Sequence, residues 1–184
     1  MPRPPIYEMA PHTGRSARLI SKLYGYRSPK EFVAELPENA RVADIGAGNS
    51  NLGRVAAGLR PDIQWTNIDI QYDDFYPSLR ERSKAPDNVS YVAADILHSC
   101  LQAGSLDLIV SNAALPFIIM TDEVLAMRAL YSMRESLKTD GRMILGKGIV
   151  NGALFRKKDG AVHATAQEFD EDPEKVLREL TVRK

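Results

Sequence analysis

The stretch Val42-Ala43-Asp44-Ile45-Gly46-Ala47-Gly48-Asn49-Ser50 decides the fold, because an apolar run ends abruptly in a glycine-rich turn. Residues 40–45 have the composition and length of a buried strand, and residues 52–59 have the pattern of a helix. Glycine permits positive φ at such a turn and lets a ligand approach the backbone closely. The free N–H groups at the start of the helix attract a carboxylate or a phosphate. The stretch therefore predicts a strand, a turn and a helix, with a ligand site at the turn.

On both sides of this stretch the hydrophobic periodicity alternates between that of helices and that of strands. Upstream, apolar residues at helical spacing predict helices over 13–26 and from Ser28-Pro29 to Pro37. Downstream, the predicted strands are 63–69, 89–93, 106–111 and 142–145, and the predicted helices are 76–82 and 121–137. Alternating strands and helices of this kind predict an α/β fold, with an open, mostly parallel sheet and helices on both faces.

Local patterns add detail to the second half of the chain. Thr121 and Asp122 are candidate caps for the helix over 121–137. Its predicted apolar face consists of Val124, Leu125, Ala129, Leu130, Met133 and Leu137. Thr139-Asp140-Gly141 predicts a turn before the fifth strand. Beyond that strand we expect one strand-like stretch, 161–169, and one helix, 173–180.

Special residues follow four successive predicted strands: Gly46, Asp69, Asp95 and Asn112. Ligands of open parallel sheets bind at the carboxyl ends of the strands, near the switch in strand order. Two nucleotide-binding patterns fit the turn poorly. A dinucleotide fingerprint requires a third glycine where Asn51 stands, and the Gly-Lys-Ser or Gly-Lys-Thr of a P-loop is absent.

The turn resembles the first motif of class I S-adenosylmethionine-dependent methyltransferases, in which an acidic residue precedes Gly-x-Gly by two positions. The resemblance runs from about Val42 to Leu145. Members of the family usually add a helix and two further strands after the fifth strand, so the resemblance implies here a sheet shortened at its C-terminal edge, or an edge completed by a partner chain. It implies that S-adenosylmethionine is the cofactor and that the turn packs against its methionine part. The residues implied in this contact are Asp44, Gly46, Ala47, Gly48 and Asn49. An ordinary turn with a capping aspartate is the alternative.

The ends of the second and third strands resemble two further motifs of the family. The resemblance implies that Asp69 accepts hydrogen bonds from the ribose hydroxyls and that Ile70 rests on the adenine. It implies that Asp95 accepts a bond from the exocyclic amine, with the Ile96 amide facing a ring nitrogen. The alternatives are an exposed carboxylate for Asp69 and a helix cap for Asp95.

Ser111-Asn112-Ala113-Ala114-Leu115 resembles the fourth motif in the form seen in small-molecule methyltransferases. The resemblance implies that Ser111 and Asn112 border the methyl-transfer channel. The Asn-Pro-Pro-aromatic form, used to methylate exocyclic or amide nitrogens, is absent. Phe117 is a candidate for the acceptor pocket, with a core position as the alternative. Arg15 is a candidate partner for the cofactor carboxylate, with solvent exposure as the alternative.

Composition limits the remaining function classes. The formal net charge is zero, which argues against a large phosphate-binding face, so nucleic acid is not indicated as a partner. One cysteine excludes an internal disulfide framework, and the three histidines lie far apart, so no metal site is expected. The first residues lack a signal-peptide pattern and no apolar run would span a bilayer, which predicts a cytoplasmic protein without a membrane partner.

We therefore expect a methyltransferase acting by in-line methyl transfer on a small molecule, with no residue identifiable as the base. The expected organisation is a helical cap segment over residues 1–38 and an S-adenosylmethionine-binding, Rossmann-like domain over residues 39–184. The alternatives are an RNA or protein methyltransferase and a non-catalytic S-adenosylmethionine-binding subunit. Assembly into homo-oligomers is left open.

Overall fold

A computed structural model of the chain describes residues 17, 21–22, 24–48, 50–70, 72, 85–98, 100–112, 114–115, 118, 122–146, 150–151, 154–155 and 161–180. Its helices and strands alternate along the chain. In order they are α1 (Pro29–Ala34), β1 (Arg41–Ile45), α2 (Leu52–Leu59), β2 (Gln64–Asp69), β3 (Val89–Ala93), a short 3-10 helix (Ile96–His98), β4 (Leu106–Asn112), α3 (Glu123–Ser136), β5 (Leu137–Gly146), β6 (Val150–Asn151), β7 (Leu154–Phe155), β8 (Ala161–Thr165), α4 (Ala166–Glu171) and α5 (Pro173–Leu180).

The main sheet of the described chain has six strands in the order β3-β2-β1-β4-β5-β8. Its first five strands are parallel, and β8 pairs antiparallel with β5. The chain steps from β1 to one side through β2 and β3, then returns to the other side of β1 with β4. This switch in strand order places the carboxyl ends of β1 and β4 on either side of a crevice, where ligands of such sheets bind. The predicted open, mostly parallel sheet is confirmed.

Each face of the sheet is covered by helices, so the sheet separates two apolar cores. One core joins α3, α4 and α5 to the sheet, and it includes Leu130, Met133 and Phe169. The other joins α1 and α2 to the opposite face and includes Phe32 and Trp65. Burying side chains of this size removes large apolar areas from water and is the main stabilising contribution. The position of residues 1–38 as a separate cap stays a prediction.

Side-chain caps explain where three of the helices begin. The Ser28 hydroxyl accepts from the Glu31 N–H (3.2 Å), with Pro29 in the first turn of α1. One carboxylate oxygen of Asp122 accepts from the N–H groups of Val124 and Leu125, so the predicted cap of α3 is confirmed. Thr165 and Glu168 form a reciprocal capping box at the start of α4.

The predicted apolar face of α3 is confirmed at Ala129, Leu130 and Met133, which are buried, and is wrong at Val124, which is 68% exposed; Ala126 is buried near the start of the helix instead. The fifth strand begins at Leu137 instead of following a turn at 139–141. Leu106 of β4 pairs with Leu137 of β5, and Leu108 pairs with Arg142. Residues 138–141 therefore form an irregularity in the pairing of these two strands.

In the tail, the strand-like stretch over 161–169 ends earlier than predicted. β8 stops at Thr165 because the capping box there starts α4. The helix over 173–180 has the predicted bounds, and the six strands of the described sheet agree with its predicted shortening. The predicted helix over 76–82 lies outside the described residues. Of the helix over 13–26, helical positions are described only at Ala17, Ser21 and Lys22.

Candidate functional site

The glycine turn after β1 requires glycine at its first position for two separate reasons. Gly46 has a φ of +66° and Gly48 a φ of +50°, both in the left-handed region that side chains disfavour. A Cβ atom on Gly46 would in addition lie 2.4 Å from the Cβ of Ala114. The turn is held to β2, because the N–H groups of Gly46 and Ala47 donate to the Ile68 carbonyl oxygen at 2.8 and 3.2 Å. Gly46 thus lets the turn lie directly against the segment that follows β4.

Both backbone polar groups of Gly48, the second glycine of the turn, form hydrogen bonds with residues at or just after the end of β2. Its N–H donates to Oδ2 of Asp69 at 2.9 Å. Its carbonyl oxygen accepts a hydrogen bond from the Tyr72 hydroxyl at 3.1 Å. Asp69 is half-buried, and Ile70 beside it is also half-buried. The predicted cofactor residues of the first two strand ends therefore lie together.

Asp44 is a buried carboxyl group behind the turn, only 3% exposed. Burial, and secondarily the charge of Asp69, raises its pKa to about 8. In the described part of the chain its carboxyl group makes no hydrogen bond. At neutral pH Asp44 therefore holds its proton unless a cation nearby stabilises the carboxylate.

The raised pKa of Asp44 predicts a pH-dependent stability. Between about pH 4 and pH 8 the folded protein keeps a proton that the unfolded chain, with an ordinary aspartate pKa, has already lost. The free energy of unfolding should therefore fall as the pH rises through this window, by at most ~1.4 kcal/mol per pH unit from this group. Asp44→Asn removes the group, so the stability difference between wild type and variant should change with pH. Urea denaturation at pH 5, 6.5 and 8 measures it.

The matched control for that experiment is Asp140→Asn, which changes an exposed carboxyl group in the irregular part of β5. Its stability relative to wild type should stay constant over the same pH range. If the stability difference between Asp44→Asn and wild type is also constant, Asp44 does not titrate as described.

Asp95 is placed by the short helix that follows β3. Its Oδ1 accepts from the Leu97 N–H at 2.9 Å, and its Oδ2 lies 3.2 Å from Nδ1 of His98. The aspartate thus caps the 3-10 helix, which was the alternative to a role with the cofactor. A carboxylate has about four acceptor positions, so these bonds leave capacity for a ligand. Ile96 is buried and His98 is exposed.

Ser111 and Asn112 close the site at the end of β4. Ser111 is buried, and its hydroxyl donates to the carbonyl oxygen of Ile45 at 3.0 Å, which ties β4 to β1 just before the turn. Asn112 is half-buried and lies against Gly146 of β5, where a Cβ atom would come within 2.9 Å of Asn112 Oδ1. Both residues lie at the carboxyl end of β4, next to the switch in strand order.

The structure therefore brings most of the predicted residues to one edge of the sheet. Those at the ends of β1, β2 and β4 are Asp44, Gly46, Ala47, Gly48, Asp69, Ile70, Ser111 and Asn112. Asp95 and Ile96 follow the neighbouring strand β3. Three predicted residues, Arg15, Asn49 and Phe117, lie outside the described residues. Their roles stay predictions, as do the ligand contacts of the others.

Sequence reasoning missed four residues of this site. Tyr72, Ala114 and Gly146 make the close contacts given above, each with a residue distant in the chain. Asn51 stands at the cap position of α2, but its side chain makes no capping bond to the helix. Its Oδ1 instead accepts from the N–H of Ala17 at 2.6 Å. Of these four residues, only Tyr72 had an indication in the sequence, because it is an aromatic residue three positions after the predicted site residue Asp69.

Neither a membrane-spanning helix nor a metal-binding cluster is found among the described residues. None of the helices in that part of the chain is both long and apolar enough to cross a membrane. Within the same residues, histidine, cysteine, aspartate and glutamate side chains do not gather in groups of three or more that could hold a metal ion.

Comparison with known sequences gives a family match over most of the chain. A family model described as "Methyltransferase domain" matches residues 36–180. The ribosomal RNA large subunit methyltransferase G of Pseudomonas putida strain GB-1 is 30% identical over 126 residues, which cover 63% of this chain and 32% of that protein. The corresponding protein of Pseudomonas entomophila is also 30% identical over 126 residues. The chain thus matches about a third of the length of these curated relatives.

Comparison with solved structures shows the same fold. A TehB-like S-adenosylmethionine-dependent methyltransferase from Corynebacterium glutamicum has a TM-score of 0.51 and 22% identity, over 82% of this chain and 71% of that one. Phosphoethanolamine N-methyltransferase 1 of Haemonchus contortus, solved with phosphoethanolamine and S-adenosylhomocysteine, has a TM-score of 0.53 and 22% identity, over 75% of this chain and 30% of that one.

Proposed function

This chain belongs to the methyltransferase domain family, whose class I fold uses S-adenosylmethionine, and on that premise we propose that it transfers the methyl group to a small-molecule acceptor. The observation that supports the cofactor in this proposal is the pair of carboxyl groups at the turn. Asp44 lies behind the turn, and Asp69 accepts from the Gly48 N–H at 2.9 Å. The charge of Asp69 disfavours a pyrophosphate there, and a ligand that carries an ammonium and a sulfonium group would also favour the ionised form of Asp44.

The donor and acceptor groups present fit the parts of S-adenosylmethionine. Asp69, half-buried at a strand end, offers acceptor oxygens to a pair of ribose hydroxyls, with Ile70 beside it for the adenine. Asp95 and Ile96 lie at the end of the next strand and are assigned to the adenine. Asp44, Gly46, Ala47, Gly48 and Asn49 are assigned to the methionine part, and Arg15 to its carboxylate.

The main contribution of the protein to this reaction is to align the methyl donor with the acceptor. When bound, S-adenosylmethionine supplies a methyl group already activated by its sulfonium. Ser111 and Asn112 are assigned to hold the acceptor in line with that methyl group, and Phe117 is assigned to the acceptor pocket. Fixing two reactants in an attack geometry accounts for a large share of the rate enhancement. The Ser111 hydroxyl already donates to Ile45, which leaves its oxygen as an acceptor.

A small acceptor is supported by the composition of the fourth motif and by the balanced charge. Asn112-Ala113-Ala114-Leu115 lacks the prolines of the form used on exocyclic nitrogens, and the formal net charge is zero. An RNA acceptor is the second candidate, because the curated relatives are named ribosomal RNA methyltransferases. That name covers proteins of which this chain matches only 32%.

Methyl transfer from labelled S-adenosylmethionine tests the proposal. The purified protein should label members of a panel of small hydroxyl, amine and carbon acceptors, and it should not label ribosomal RNA. Labelling of RNA alone, together with RNA affinity that falls steeply with salt, would replace the small-molecule proposal by the RNA one. Cofactor binding with no labelling of either would favour a non-catalytic subunit.

A further inference from the structure

Tyr72 is a buried aromatic residue of the site that the assigned contacts with the cofactor do not use. Its ring is only 2% exposed, and it packs against Ala47 of the turn. It also makes an edge-to-face contact with Tyr91 of β3, with ring centroids 5.6 Å apart and planes at 77°. Packing on two sides fixes the ring, and a fixed ring fixes the direction of its hydroxyl group.

The hydroxyl of this ring contacts the second glycine of the turn. It donates to the Gly48 carbonyl oxygen at 3.1 Å, while the Gly48 N–H donates to Asp69 at 2.9 Å. Asp69 is the last residue of β2 and Tyr72 follows three positions later; the Tyr72 N–H also donates to the Asp69 carbonyl oxygen. These two neighbouring residues therefore bond both polar groups of the Gly48 backbone.

Gly48 depends on these hydrogen bonds because glycine by itself has no preference between positive and negative φ. Glycine populates positive and negative φ about equally, so the observed φ of +50° is selected only by the contacts of the turn. A hydrogen bond to the carbonyl oxygen opposes rotation of the peptide plane that follows Gly48. Loss of that bond would let the turn sample orientations in which the Gly48 N–H no longer points at Asp69.

We propose that Tyr72 is a positioning residue of the cofactor site, whose hydroxyl fixes the Gly48 peptide and thereby the direction in which Asp69 faces the ligand. This inference rests on the proposed function. Tyr72 acts through Gly48 and Asp69, and it needs no contact with the reacting atoms. Its contribution should appear in cofactor affinity and leave the methyl-transfer step unchanged, because Ser111 and Asn112, which are assigned to the acceptor, belong to β4.

Tyr72→Phe tests the proposal, because it removes one oxygen and keeps the packed ring. Gly48 is half-buried, so we expect water to replace the lost donor and the fold to be retained. We expect the dissociation constant of S-adenosylhomocysteine to rise about fivefold, the equivalent of one neutral hydrogen bond. With a labelled acceptor, the KM for S-adenosylmethionine should rise by a similar factor while kcat stays within twofold of wild type.

Tyr26→Phe is the matched control, since it also removes a hydroxyl from a buried tyrosine. That hydroxyl donates to Glu35 at 2.7 Å, and Glu35 also accepts from Arg142 of β5, so the bond involves no residue of the turn. Tyr26→Phe should lower the melting temperature at least as much as Tyr72→Phe, and it should leave cofactor affinity unchanged.

The outcomes separate this inference from the function on which it rests. A selective loss of affinity in Tyr72→Phe supports positioning by Tyr72. Two results would overturn positioning by Tyr72 while the proposed function stands. One is equal cofactor affinity in wild type and Tyr72→Phe, and the other is an equal loss of affinity in Tyr72→Phe and Tyr26→Phe. A wild-type protein that binds no S-adenosylhomocysteine would refute the function itself.

Discussion

Asp69→Ala should weaken the binding of S-adenosylhomocysteine about 100-fold in titration calorimetry. The carboxylate is assigned to two ribose hydroxyls, and hydrogen bonds to charged groups contribute about 1.5–3 kcal/mol each. A loss of ~3 kcal/mol corresponds to a factor of about 100 in the dissociation constant. The same substitution removes the acceptor of the Gly48 N–H, so Gly48 loses one of its two bonds to Asp69 and Tyr72. This is the largest effect that we expect from one side chain on binding.

Two control variants distinguish the possible causes of that loss. Asp69→Asn keeps an oxygen that can accept from Gly48 and from one hydroxyl, so its affinity should lie between those of wild type and Asp69→Ala. Asp140→Ala removes an exposed carboxyl group of the same type and should bind as wild type does. If Asp69→Ala binds within twofold of wild type, Asp69 is not a cofactor residue.

Gly46→Ala should lower the free energy of unfolding by about 2–4 kcal/mol and remove measurable cofactor binding. Of this, roughly 1 kcal/mol comes from the left-handed backbone, where an alanine Cβ is strained. The rest comes from overpacking, typically about 1–3 kcal/mol, because the new Cβ would lie 2.4 Å from that of Ala114. Urea denaturation gives the stability, and calorimetry with S-adenosylhomocysteine gives the binding.

The chain offers a control with nearly the same backbone. Gly104 has a φ of +61°, against +66° for Gly46, and a Cβ there would have nothing within 4 Å. Gly104→Ala should therefore cost only the backbone strain, about 1 kcal/mol. The double variant Gly46→Ala with Ala114→Gly should recover the overpacking part. Equal destabilisation by Gly46→Ala and Gly104→Ala would show that contact with Ala114 does not matter.

The parts of the fold that sequence predicted well are those with local causes. Ser28 and Pro29 predict the start of α1 because capping depends on the next few residues. The helix over 52–59 was predicted at its observed bounds, because a glycine turn precedes it and apolar residues line one side. The Thr165–Glu168 capping box was equally local, but the apolar alternation around it favoured a longer strand.

The parts that sequence did not predict depend on contacts between distant segments. The irregular residues 138–141 look like a turn locally, and only the pairing of β5 with β4 keeps them in the sheet. Tyr72 and Ala114 reach the turn across the switch point, and no periodicity along the chain indicates either contact. The site residues were predictable as strand ends by resemblance, whereas their mutual bonds required the structure.

Direct titration of the wild-type protein with S-adenosylhomocysteine tests the central claim, a cofactor site at the carboxyl ends of β1, β2 and β4. We expect saturable binding with one site per chain and no heat of binding from NAD under the same conditions. The absence of S-adenosylhomocysteine binding by folded wild-type protein, or tighter binding of NAD, would contradict the claim.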